Sequence, residues 1–148
     1  MTDYNLMIKQ FRELAKDTSD PVSIMANTSA LIFYSMSDLN WAGFYVVRGE
    51  ELLVGPFQGK VACAVIKKGR GVCGTAWEKD ELQLVPDVHA FPGHIACDCD
   101  SNSEIVVPIH HDGKVCAVLD IDSPVPGRFT EEDATGLSEL VRALEEVL

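Results

Sequence analysis

This sequence predicts an α+β fold with one antiparallel sheet of about six strands, and three observations carry the prediction. Apolar residues at helical spacing are confined to the two ends of the chain, before residue 37 and after residue 129. The stretch between is β-branched and aromatic, cut by glycine turns. Two of those turns, Gly49-Glu50 and Asp112-Gly113, are two-residue hairpin connections, which can only join antiparallel strands. Runs of strands between terminal helices give α+β rather than alternating α/β. The 148 residues are expected to form a single domain spanning 1–148.

The elements follow in order. Tyr4–Lys16 sets Tyr4, Met7, Ile8, Phe11, Leu14 and Ala15 on one helical face. Asp20-Pro21 reads as a cap with proline in the first turn, opening a helix to about Met36 with Met25, Ile32 and Met36 inward. Strands are expected at Trp41–Val47, Leu52–Phe57, Val61–Ile66 and Leu82–Val85, with a glycine-rich turn and short helix (Gly69 to about Lys79) before the last. Ile105–His110 and Val115–Ile121 form a hairpin through His111-Asp112-Gly113-Lys114. Thr130, with Asp133 three residues on, caps a final helix striped by Leu137, Leu140, Val141, Leu144 and Val147. The terminal helices should cover one sheet face, leaving the other to the loops Gly69–Ala76 and Asp87–Glu104.

Charge and composition exclude some classes of function. A formal net charge of −11 is wrong for binding nucleic acid, which needs Lys and Arg against phosphate. No apolar run reaches the ~18 residues of a membrane span. MTDYNLMIKQF lacks the basic and apolar regions of a signal peptide. Five cysteines, an odd number, make a poor disulfide framework, so a cytoplasmic setting with reduced thiols is expected.

Chemistry concentrates in DVHAFPGHIACDCDSNSEIVVP, Asp87 to Pro108, a polar loop with two cysteines, two histidines and four carboxylates running onto an apolar strand. Cys97 lies in a segment not apolar enough to bury it. Cys73 sits where a glycine-rich turn opens a helix, a setting that lowers a thiol pKa. Cys63 and Cys116 lie within strands and read as core. His89, His94, Cys97 and Cys99 could ligate zinc, but no Cys-x-x-Cys pair is present, and no metal or cofactor is expected. GRGVCG lacks the ending of a phosphate loop. Asp120 and Asp122 share one strand face, taken as opposite Val118 or Ile121, and form either a solvated edge or a cation site. Trp41 and Tyr45 likewise share a face, as core or as an aromatic wall.

Taken together, NWAGFY, GPFQGK, GRGVCGTA, DVHAFPGHIACD, SNSEIVVP and VLDIDSP resemble the free methionine-(R)-sulfoxide reductases, a family built on a GAF-type domain. The resemblance implies a GAF-like fold, reduction of the free amino acid's R-sulfoxide by thiols, recycling by thioredoxin, and a homodimer. It implies Cys97 as nucleophile, with Cys63 and Cys73 as further redox cysteines and Glu104 as the acid. Cys63 is expected to be the main resolving thiol and Cys73 the weaker candidate. The substrate would be held by Trp41, Tyr45, Asp120 and Asp122 and by the backbone of Gly93, His94, Ile95, Ala96 and Cys97. Cys99 departs from the usual small residue and could intercept Cys97; Trp77 and Cys116 also depart from the pattern. A GAF sensor that binds a small molecule without thiol turnover is the alternative.

Overall fold

The computed structural model describes residues 1–94 and 100–148. Helix α1 (Tyr4–Leu14) begins at Asp3, whose carboxylate accepts from the Leu6 amide. Helix α2 (Pro21–Ser35) begins at Asp20, which accepts from the Ser23 amide, with Pro21 needing no partner in the first turn. Strands β1 (Trp41–Arg48), β2 (Glu51–Gly59) and β3 (Val65–Lys67) follow, then α3 (Gly71–Lys79), β4 (Gln83–Val85), β5 (Ser103–His111), β6 (Lys114–Ser123) and α4 (Glu131–Glu145). The sheet order is β3-β2-β1-β6-β5-β4, with every neighbouring pair antiparallel. No helix among the described residues is long and apolar enough to cross a membrane.

Local chemistry explains the turns and caps. Gly49 takes φ +64 while Glu50 stays at negative φ, so Arg48 pairs with Glu51 across a turn that needs glycine first. Asp112 and Gly113 both take positive φ, 52 and 77, the pattern that joins His111 to Lys114. Thr130 and Asp133 form a full capping box at α4, each side chain meeting the other's backbone N–H.

The period of two then divides the sheet into two faces. Ala42, Phe44, Ile105, Val107, Ile109, Ala117, Leu119 and Ile121 pack under α1, α2 and α4, against Phe11, Ile32, Leu137, Leu140 and Leu144. Trp41, Tyr45, Val106 and Val118 lie on the opposite face, beneath Val72, Cys73, Ala76 and Trp77 of α3. The second face is thus roofed by a helix as well as loops. Val118 shares its face with Asp120 and Asp122, as residues two and four apart must, so the expectation that it opposes them is corrected. The third strand is also shorter than expected. It starts at Val65, and Cys63 lies in the irregular segment before it. A bulge between Ile109 and His110 leaves Cys116 packed against the core under α4.

Where α1 crosses α4, Gly136 faces Tyr4, and a Cβ there would be driven into the Tyr4 ring. The Tyr4 hydroxyl donates to Asp133 at 2.6 Å, so the ring cannot swing away without losing that bond. Gly136→Ala is therefore expected to destabilise the fold by about 1–3 kcal/mol, despite alanine's better helix propensity. Denaturant unfolding measures this, and an unchanged or raised midpoint would contradict it.

Candidate active site

Three neighbouring strands bring the acids together. Trp41 pairs with Asp122, and Asp122 pairs with Glu104, so these side chains form one row across β1, β6 and β5. In the next row on this face Asp120 lies between Gly43 and Val106. All three carboxylates are buried. The Trp41 ring stacks on Tyr45 at 5.7 Å and on Phe57 at 5.0 Å, so the aromatic pair is a wall on the acids' side. From above, α3 lowers Cys73, whose Sγ lies 3.9 Å from Glu104 Oε2. The cleft of ≈ 50 Å³ between them is also lined by His94, Ser101, Arg70 and Ala62.

Burial sets the protonation of this floor. It pushes the Glu104 carboxyl well above its ordinary value, and the neighbouring Asp120 and Asp122 push it further. Asp120 is raised by burial too, but hydrogen bonds from Glu104, Asp122 and Cys73 favour its charged form. Glu104 is thus the group that keeps a proton, and Asp120 the group that accepts. Asp120 Oδ1 is buried with no hydrogen-bond partner among the described residues, an acceptor awaiting a donor. The same floor reverses the expectation for Cys73. Its position in the first turn of α3 favours a thiolate, but burial, then Asp120 and Glu104, raise the thiol well above its ordinary value. Cys73 is a protonated, buried thiol rather than an activated one.

The aromatic wall also fixes the segment carrying Cys63. The Trp41 indole N–H donates to the Lys60 carbonyl at 3.1 Å, and the Tyr45 hydroxyl donates to the Cys63 carbonyl at 3.0 Å. Cys63 is disulfide-bonded, whereas Cys73 and Cys116 carry free thiols. Lys60 pairs with Asp100 at 2.7 Å, and the Asn40 amide donates to Ser101 at 3.0 Å, which ties residues 100–101 to the same rim. Across the cavity mouth His94 is held neutral at pH 7, lowered by burial and then by His89. The expected site residues Ile95, Ala96 and Cys97, and Cys99 with them, lie outside the described residues.

A GAF-domain model matches residues 26–148. The free methionine-R-sulfoxide reductase of Escherichia coli is 51% identical over 140 residues, covering 95% of this chain and 85% of that one. A structure of fRMsr of Staphylococcus aureus in complex with substrate superposes with a TM-score of 0.95 at 46% identity, covering 100% of this chain and 97% of that one. The free methionine-R-sulfoxide reductase of Neisseria meningitidis, also in complex with its substrate, gives 0.94 at 44%, covering 97% and 86%. The chain belongs to the free methionine-R-sulfoxide reductase family.

In this reductase-family pocket, Trp41, Tyr45, Glu104, Asp120, Asp122, Cys73 and His94 all reach the cavity. Gly93, at φ +75, sits exposed in the turn just before His94, and a Cβ there would meet nothing within 4 Å among the described residues. His89 Nδ1 pairs with Asp87 at 3.0 Å, which engages only one of its ring nitrogens, and the cysteines of the zinc alternative, Cys97 and Cys99, lie outside the described residues. Arg70 was not foreseen. It lines the cavity at the N-cap of α3, flanked by Gly69 and Gly71 at positive φ. A lone cation between two glycines at a helix start was the available signal, since helix N-termini gather positive charge where anions bind.

Proposed function

We propose that the chain reduces free L-methionine-(R)-sulfoxide to methionine through its cysteines, with thioredoxin as the final reductant. The observation that carries this reading is the buried row Trp41–Asp122–Glu104 with Asp120 beside it, which offers carboxylates and an aromatic wall to one small zwitterion. Asp120 and Asp122 answer the ammonium, which would meet Asp120 Oδ1, an acceptor without a partner among the described residues. Arg70 and the backbone of Gly93–Cys97 answer the carboxylate. Trp41 and Tyr45 wall the sulfur and methyl group.

Glu104 is the acid. A sulfoxide oxygen leaves sulfur only if it is protonated, and a carboxyl whose pKa is lifted by burial still carries a proton at neutral pH. The Cys97 thiolate attacks the sulfoxide sulfur while Glu104 protonates its oxygen. The oxygen ends on Cys97 as a sulfenic acid, and methionine departs two electrons richer. The Cys63 thiol then attacks the Cys97 sulfur, its proton leaving with the sulfenic hydroxyl as water, and the disulfide that forms is reopened by thioredoxin. Three facts support Cys63 over Cys73 as the resolving thiol. Cys63 is disulfide-bonded, Cys73 is a free thiol, and the Cys73 pKa is raised where a nucleophile needs it lowered.

Specificity for the free amino acid follows from the ammonium site. An N-acetylated substrate would leave the buried acids without their cation, so its kcat/KM should be lower by about 10³-fold. Steady-state assays on free and N-acetylated methionine sulfoxide, with dithiothreitol as reductant, make the comparison. Similar values for the two would remove the ammonium site from the account.

A further inference from the structure

We infer that the segment from Lys60 to Arg70 is the docking surface for an acidic dithiol protein of the thioredoxin class, which opens the disulfide by attack at Cys63. The inference rests on the reading above in one respect, that a protein dithiol recycles the chain. The chain carries a net charge of −11, yet Lys60, Lys67, Lys68 and Arg70 fall in this segment with no acidic residue within it. Asp100 pairs with Lys60, and Glu51 stands opposite Lys67 across the strand pair, so the positive excess rests mainly on Lys68 and Arg70. The segment also presents apolar side chains to water. Val61 is 87% exposed and Val65 47% exposed, one on either side of the redox cysteine. Strand β3 is the outermost strand of the sheet, so only its β2 side is paired. Its three residues alternate: Ile66 points into the cavity, while Val65 and Lys67 share the outward face.

These features fit one task. An acidic partner approaching a chain of net charge −11 is repelled in general and attracted only where the local charge is positive, which selects the docking site and speeds encounter. The attacking group is itself an anion, and nearby cations stabilise a thiolate. Cys63 is partly exposed, whereas Cys73 is buried, so the segment offers an accessible sulfur and excludes a competing one. The partner's thiolate bonds to Cys63 Sγ and expels its disulfide partner as a thiolate. The partner's second thiol then attacks the mixed disulfide and releases Cys63. Two electrons pass to the chain, and the reductant becomes a disulfide.

The test omits methionine sulfoxide, so its outcome does not depend on the substrate assignment. The oxidised chain is mixed with reduced thioredoxin, and the released thiols are trapped against time. Val61→Asp combined with Lys67→Glu touches no residue of the cavity. It should slow reduction by thioredoxin about 10-fold or more and flatten its dependence on salt. Reduction by dithiothreitol, which needs no docking surface, should be unchanged. The milder pair Val61→Ser and Lys67→Gln should give a smaller loss in the same direction, should the first variant fold poorly. A thioredoxin lacking its second cysteine should be captured at Cys63. Equal thioredoxin rates for wild type and variants, capture at another cysteine, or a wild-type disulfide open to dithiothreitol but closed to thioredoxin would each overturn the proposal.

Discussion

Cys97→Ser is expected to form no methionine at all, even when one equivalent of substrate is offered to a fully reduced chain. Serine keeps the shape of the side chain but its hydroxyl is far too basic to supply an anion near neutral pH, so the oxygen-accepting step is lost rather than slowed. Cys63→Ser should behave differently. It should yield about one methionine per chain at a normal rate, because the first step needs no resolving thiol, and then stall under thioredoxin. Rapid-quench assays of both variants, with peptide mapping of the oxidised wild type for a Cys63–Cys97 link, separate the two roles. One full turnover in Cys97→Ser would move the nucleophile elsewhere. Normal thioredoxin-driven cycling in Cys63→Ser would show that another cysteine resolves.

Glu104→Gln has the second-largest expected effect, and it moves activity and stability in opposite directions. Glutamine preserves size and hydrogen bonding but cannot surrender a proton as an acid, so kcat/KM should fall by about 10²–10⁴-fold. The stability change follows from the direction of the shift. Glu104 has its folded pKa raised above the ordinary 4.5 by burial and by Asp120 and Asp122. Below that ordinary value both folded and unfolded chains hold the proton, and nothing is lost. As pH rises above it, the unfolded chain releases the proton first, and wild-type stability falls until the folded group ionises as well. Glu104→Gln should therefore match the wild type at acidic pH and exceed it at pH 8. Thermal unfolding at the two pH values checks this, and a variant less stable than wild type at pH 8 would contradict the buried, protonated acid.

The two hairpins, the N-caps Asp20 and Thr130 and most of the apolar stripe of α4 were legible because each depends on residues close in sequence: Gly49-Glu50, Asp112-Gly113, Asp20-Pro21, and Thr130 with Asp133. Val147, expected in that stripe, lies beyond the last turn of α4 and is exposed. The shared face of Asp120 and Asp122, and of Trp41 and Tyr45, was legible for the same reason. Cys73 was misjudged because only its helix start is local. The acids that raise its pKa arrive on β5 and β6, and no pattern near GRGVCG announces them. Cys63 was placed in a strand because VACAVI alternates plausibly, but Tyr45 and Trp41 hold that backbone by hydrogen bonds of their own and β3 begins only at Val65. Arg70 escaped notice because the phosphate-loop template was the one laid on its glycines. The burial of Asp122 between Trp41 and Glu104 required the β1–β6 pairing, a contact between distant parts of the chain.

The central claim is that this pocket turns over one epimer of one free amino acid. Racemic free methionine sulfoxide should be incubated with the chain, thioredoxin, thioredoxin reductase and NADPH, and each epimer followed by chiral separation. The account predicts that the R epimer is consumed to completion with one methionine formed per NADPH, while the S epimer is untouched. Consumption of both epimers alike, or of neither while the thiols remain reduced, would contradict it.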